Sequence, residues 1–174
     1  MTATNSASYE QVREHFAGAI ARIASGYEAD RSRQQDLQQE IHLAIWRGLP
    51  GFRGECSLKT WVFRVANNVA ATFVAKEMRQ KRGQLLSLDD ECVIPTHPGH
   101  ESEVDQKLRV ENLHGFLRTL KLPDRQIALL YLEGHSAAEI GEITGLKPAA
   151  VSMRIYRLKT VLSNLTTQEG TDHG

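Results

Sequence analysis

From Gly83 to Asp105 the chain carries no lysine or arginine, but six carboxylates (Asp89, Asp90, Glu91, Glu101, Glu103, Asp105) together with Pro95, Pro98, Gly83 and Gly99. Such a strip is a poor helix and a poor core, because proline removes a backbone donor and clustered like charges repel. It divides 174 residues into two blocks, each sized for one small domain. Residues 9–82 hold 12 basic and 8 acidic side chains, and residues 106–165 hold 9 and 5, so both blocks are mildly basic. The formal net charge of zero hides this alternation and by itself points to no partner. The expected layout is a disordered N-terminus (1–8), a first helical domain (9–82), an acidic flexible linker (83–105), a second helical domain (106–165) and a disordered tail (166–174).

Periodicity makes both blocks helical. Tyr9, Val12, Phe16, Ile20, Ile23 and Tyr27 recur at spacings of three and four, the signature of one amphipathic helix. Leu37, Ile41, Ile45 and Leu49 predict a second, closed by Gly48-Leu49-Pro50-Gly51. A third is expected after Ser57, a good N-cap, with Leu58, Trp61, Val62, Val65, Ala66, Val69 and Phe73 on its apolar face. Its last turns carry Lys76, Arg79, Lys81 and Arg82, which suit the negative end of the helix dipole.

The second block begins with an apolar face of Leu108, Leu113, Phe116, Leu117 and Leu120, followed by a short helix carrying Ile127, Leu130 and Leu132 up to Gly134. Ser136-Ala137-Ala138-Glu139 reads as a capping box, in which serine and glutamate each satisfy an orphan backbone N–H. The helix it opens is short and stops at Thr144-Gly145; Lys147-Pro148 then starts a longer one. Short helix, glycine turn and longer helix make a helix-turn-helix without a wing. On the longer helix Val151, Ile155, Leu158 and Leu162 share one arc, while Ala149, Ser152, Met153, Tyr156, Arg157 and Thr160 fall mostly opposite. An exposed face of hydroxyl, aromatic and guanidinium groups fits a DNA major groove about 12 Å wide.

Other classes find little support. The longest apolar-leaning run, Val65 to Ala75, falls far short of the roughly 20 residues a membrane span requires. Met1 to Ser8 has neither a positive cluster nor an apolar stretch, so no secretory signal is expected and the chain reads as cytoplasmic. No Gly-x-Ser-x-Gly, phosphate loop or paired-cysteine cluster suggests an enzyme. Cys92, His97 and His100 lie within nine residues, but structural zinc sites usually need four ligands with tighter pairing. No metal or cofactor is expected. The scattered His15, His42, His114 and His135 read as surface or half-buried residues.

Two motifs in the right order carry a family resemblance. The run from Asp36 to Arg47 (DLQQEIHLAIWR) resembles the polymerase-binding helix of bacterial sigma factors. The run from Phe52 to Asn68 (FRGECSLKTWVFRVANN) resembles their promoter-melting segment, and Leu122-Pro123-Asp124-Arg125 through Leu162 their C-terminal helix-turn-helix. With only these two domains joined by a short linker, the chain resembles the extracytoplasmic-function group, over roughly residues 9–165. That resemblance implies an alternative sigma factor: a non-enzyme that binds core RNA polymerase, recognises promoter DNA and opens it. Docking on the β′ clamp would use Asp36, Gln39 and Glu40, since carboxylates pair strongly with arginines. Contact with the −10 element would fall to Phe52, Arg53, Gly54 and Glu55, with Trp61, Arg64 and Asn68 alongside; Trp61 fits core packing equally well. Contact with the −35 element would fall to Lys147, Ser152, Met153, Tyr156, Arg157 and Lys159.

The sequence departs from the family at three of these places. Many members carry arginine where Ser152 stands, serine where Met153 stands, and a serine or threonine cap where Lys147 stands. The common −35 sequence is therefore not expected, and Lys147 becomes a candidate phosphate contact. Cys56 replaces a small residue as neutral packing. By the same resemblance the acidic linker would thread a polymerase channel with Asp89, Asp90, Glu91, Glu101 and Glu103 imitating a phosphate backbone, and an anti-sigma factor would restrain the protein. The competing reading is a stand-alone helix-turn-helix regulator, which needs only residues 122–165 and leaves Asp36 to Asn68 unexplained.

Overall fold

A computed structural model describes residues 8–84 and 103–168, and all regular structure among them is helical. The helices are α1 (Tyr9–Tyr27), α2 (Arg31–Gly48), α3 (Leu58–Gln84), α4 (Glu103–Thr119), α5 (Leu122–Leu132), α6 (Ala137–Thr144) and α7 (Pro148–Gln168), with a single 3-10 turn at Leu49–Gly51. They form two compact units that divide between Lys121 and Leu122. The all-helical fold is the expected one. Residues 1–7, 85–102 and 169–174, with most of the acidic strip and the Cys92, His97 and His100 cluster, lie outside the described residues. Helix replaces expected linker at Gly83–Gln84 and Glu103–Asp105, and α7 runs on to Gln168.

In the first unit α1, α2 and α3 pack pairwise. Ser8 caps α1 with a complete capping box: its hydroxyl accepts from the Gln11 N–H, and the Gln11 side chain accepts from the Ser8 N–H at 3.0 Å. Asp30 caps α2, which starts well before the apolar stripe that announced it. The core closes around Val12, Ile20, Ile23, Leu37, Ile41, Ile45 and Val62, each at most 1% exposed.

The buried face of α3 is rotated from the one periodicity gave. Val62, Phe63, Ala66, Asn67, Ala70 and Val74 are buried, whereas Trp61, Val65, Val69 and Phe73 are only half-buried. The reason is a satisfied polar group. Asn67 accepts from the Tyr27 hydroxyl at 3.4 Å and donates its amide to the Phe63 carbonyl at 2.9 Å, which removes the usual cost of burying an amide. The half-buried side is held by Arg33, whose guanidinium bridges Glu28 (3.1 Å) and Glu77 (2.6 Å) and lies 5.7 Å from the centre of the Phe73 ring.

Helix α4 packs against α1 and so belongs to the first unit by its contacts, although the sequence groups it with the second block. The α1 helix has no basic residue in its last turn. Arg118 of α4 supplies one from 93 residues away, donating to the Ser25 carbonyl at 2.7 Å. A guanidinium there meets the negative end of α1 and an otherwise orphaned carbonyl. Burial lowers the Arg118 pKa, while Glu28 and Glu111 oppose that shift.

The second unit is the helix-turn-helix. Its core holds Ile127, Leu130, Ile140 and Val151, all fully buried. The capping box forms as expected: Ser136 Oγ accepts from the Glu139 N–H at 3.3 Å, and Glu139 Oε2 accepts from the Ser136 N–H at 2.8 Å. Gly145 closes α6 at φ 76°, a left-handed position glycine takes without strain. Gly141 is required for a different reason: a Cβ there would sit 2.7 Å from the Leu146 carbonyl oxygen, so the turn closes directly over it. His135, expected as a surface or half-buried residue, is instead buried at 2% exposure, as is Arg125 at 5%.

Candidate nucleic-acid and polymerase interface

Three surfaces assemble the candidate residues. The first is the outer face of α2. With Leu37, Ile41 and Ile45 committed to the core, Asp36, Gln39 and Glu40 face outward and are exposed. Two residues missed by the sequence reading share that side: Leu43 is 43% exposed and Trp46 is 57% exposed. At i, i+3, i+4, i+7 and i+10 from Asp36, these five side chains form one stripe. An exposed leucine and an exposed indole thus continue, along the same helix face, the line of the two carboxylates. The available signal was the leftover of the core pattern, since neither Leu43 nor Trp46 fits the 37-41-45 register.

His42 borders this stripe. Its ring meets Tyr9 edge-on at 6.2 Å, and its Nδ1 is buried without a hydrogen-bond partner among the described residues. Burial first, and then the Arg13 cation, hold His42 below the ordinary imidazole pKa; burial and Arg118 do the same for His114. A folded chain that binds fewer protons than the unfolded one loses stability as pH falls through the unfolded value of about 6.5. Unfolding titrations between pH 7.5 and 5.5 should therefore show stability decreasing toward acid, with a shallower slope in His42→Gln.

The second surface is the loop between α2 and α3 with the start of α3. The 3-10 turn delivers Phe52 onto Trp61, with ring centroids 5.4 Å apart and planes at 43°. Trp61 also covers Gly48, where a Cβ would lie 2.9 Å from the indole. Phe52 and Trp61 are half-buried against each other, and beyond them Arg53, Gly54 and Glu55 stand exposed, with Gly54 at φ 74°. Ser57 then caps α3, its Oγ accepting from the Thr60 N–H at 3.0 Å. Trp61, Arg64 and Asn68 follow at i, i+3 and i+7, half-buried, half-buried and exposed. The structure thus brings the seven candidates into one loop and one helix flank, with Trp61 partly in the packing role the sequence left open.

The third surface is α7 with Lys147 immediately before it. Lys147, Ser152, Met153, Tyr156, Arg157 and Lys159 are all exposed, Met153 at 58% and Tyr156 at 72%. Two cations on this helix turn back toward α5. Arg154 Nη1 donates to Asp124 Oδ1 at 2.5 Å, and the Lys159 ammonium lies 4.9 Å from the centre of the Tyr131 ring. Neither contact was foreseen, because each joins residues about thirty apart that no local period relates. Arg157 remains on the outer arc. Among the described residues no cluster of three His, Cys, Asp or Glu side chains is placed to hold a metal ion, and no helix is long and apolar enough to cross a membrane.

Comparison with known proteins gives both units an ancestry. Residues 12–80 match the model of sigma-70 region 2, and residues 111–162 match that of sigma-70 region 4. The chain is 28% identical over 158 residues to the ECF RNA polymerase sigma-E factor of Haemophilus influenzae, covering 85% of this chain and 79% of the relative. It is 25% identical over 167 residues to the RNA polymerase sigma factor CnrH of Cupriavidus metallidurans, covering 92% and 87%. The fold is similar to that of the sigma factor RpoE of Bartonella quintana, solved in complex with the anti-sigma factor NepR, with a TM-score of 0.73, 19% identity and coverage of 95% and 98%. Region 4 begins inside α4, the helix whose contacts lie with α1. The two regions in this order, and relatives of this kind along nearly the whole chain, settle its place: it belongs to the sigma-70 family of RNA polymerase sigma factors, in the extracytoplasmic-function group.

Proposed function

We propose that this alternative sigma factor docks on the polymerase clamp through the α2 stripe of Asp36, Gln39, Glu40, Leu43 and Trp46. It then captures −10 bases at Phe52–Glu55 with Trp61, Arg64 and Asn68, and reads the −35 element through α7. The observation that carries the reading is the α2 stripe. The fold of the first unit makes no use of it, and a stand-alone DNA-binding regulator has no need of it. Its chemistry is binding and strand separation, with no covalent step. Extruding a base costs a few kcal/mol, which stacking on the Phe52–Trp61 pair and charge from Arg53 and Arg64 offset.

On α7 the assignment sharpens to Arg157, Tyr156, Met153 and Ser152 for bases, with Lys147 just before the helix for phosphate; Lys159, resting on Tyr131, is the weakest of the six. A bidentate arginine–guanine contact is worth about 1–3 kcal/mol of discrimination. Arg157→Ala should therefore weaken specific binding by roughly five- to a hundredfold and relax preference at one −35 position. Lys147→Ala should weaken all sequences alike and lower the salt slope by about one unit. A −35 substitution panel at two salt concentrations separates these outcomes, and a uniform loss in Arg157→Ala makes that residue a phosphate anchor instead.

The protein acts in the cytoplasm, where polymerase and promoter are, and is restrained by an anti-sigma factor, as the Bartonella quintana relative is bound by NepR. Retention of core polymerase on the tagged full chain supports the reading. Sequence-specific DNA binding without polymerase retention would establish the stand-alone regulator.

A further inference from the structure

Helix α7 is tied to α5 on both flanks of its buried stripe. Taking about 100° per residue, Arg154 lies roughly 60° to one side of Val151 and Lys159 roughly 80° to the other. Arg154 reaches Asp124 in the first turn of α5, and Lys159 reaches Tyr131 near its end. The interdigitated apolar contacts between the two helices resist separation and large rolls, and leave only a small range of roll for contacts at the margins to set. Directional contacts at the margins resist roll.

The Asp124–Arg154 pair has the geometry for this. Its Nη1···Oδ1 distance is 2.5 Å, yet its side chains are 33% and 36% exposed. Ion pairs so exposed contribute little to stability. A roll of about 20° moves a side-chain tip about 6 Å from the helix axis by roughly 2 Å, more than a hydrogen bond to a base edge tolerates. We propose that Asp124 is a positioning residue for promoter recognition. Through Arg154 it sets the roll of α7, and so determines which −35 bases Ser152, Met153, Tyr156 and Arg157 meet. Asp124 itself touches no DNA, and Arg154 is withdrawn from the reading face to serve this pair. The proposal rests on α7 being the −35 reader.

The test uses the full chain assembled with core polymerase and a panel of promoters carrying every single-base change in the −35 element. Asp124→Asn removes the charge at nearly constant volume. It should lose about two- to fivefold of the discrimination between the preferred −35 sequence and its variants, the most that a pair so exposed can bias, while the salt slope stays as in wild type. Arg154→Ala should give the same altered profile, the double variant should be no worse than either single one, and Asp124→Glu should restore the wild-type profile. A purely structural role would lower the amount of active complex without changing the order of base preferences. Wild-type preferences retained in Asp124→Asn overturn the proposal, as does a loss confined to Arg154→Ala, which would make Arg154 a direct DNA contact. A wild-type protein with no −35 preference at all overturns the reader assignment itself, and the proposal with it.

Discussion

Asp36→Lys combined with Glu40→Lys is expected to abolish binding to core polymerase and all promoter-dependent transcription, while helix content remains that of the wild type. Both side chains are exposed and contribute nothing to the core around Leu37, Ile41 and Ile45. Breaking one hydrogen-bonded charge pair at an interface costs about 2–5 kcal/mol, and reversal adds repulsion. Two reversals at 1.4 kcal/mol per decade place the loss at about a thousandfold or more. Trp46→Ala separates the apolar part of the stripe from the charged part. A buried tryptophan anchor is typically worth 2 kcal/mol or more, so affinity should fall about thirtyfold or more. Calorimetric titration against core enzyme checks both, with far-UV circular dichroism as the folding control; wild-type affinity in the double reversal would remove α2 from the interface.

The second large effect concerns strand opening. Alanines at Phe52-Arg53-Gly54-Glu55 should leave polymerase binding intact and block melting, because a loop that holds an extruded base acts only after docking. Replacing Gly54 forces a residue with a Cβ into φ 74°, so the loop also loses its turn. Trp61 keeps its cover of Gly48 but loses the Phe52 ring, and with it one wall for stacking. Single-residue variants resolve these contributions: Phe52→Ala removes the stack, whereas Arg53→Ala leaves the turn and removes charge. Permanganate reactivity of thymines near the start site is the measurement. Normal reactivity in the quadruple variant would take the loop out of melting.

Several parts of this molecule were legible from local chemistry alone. The Ser136–Glu139 box and Gly145 fix α6 because their partners are three or four residues away, and the stripe of α1 buries as its period requires. The phase of α3 was not legible. Asn67 looks like a surface residue until Tyr27, forty residues distant, supplies a hydrogen bond that makes its burial tolerable. Periodicity counts apolar side chains and therefore misplaces a face that includes a satisfied amide. The same limit hid the α4–α1 contact, where Arg118 serves the end of a helix 93 residues earlier, and the Asp124–Arg154 pair. The N-cap of α1 was there to be read, since Ser8 stands three residues before Gln11. Among the candidate site residues, the family resemblance pointed to Asp36, Gln39 and Glu40. Leu43 and Trp46 emerged only once the core had claimed its own residues and left those two in water.

The central claim is that this chain gives core polymerase a promoter specificity it otherwise lacks. Transcript-start mapping after overexpression supplies the promoters, and reconstituted transcription from one of them supplies the test. Core polymerase with the full chain should initiate at the mapped start, core alone should not, and the Asp36→Lys/Glu40→Lys variant should match core alone. Absence of specific initiation with the wild-type chain, or equal initiation by core alone, would contradict the account.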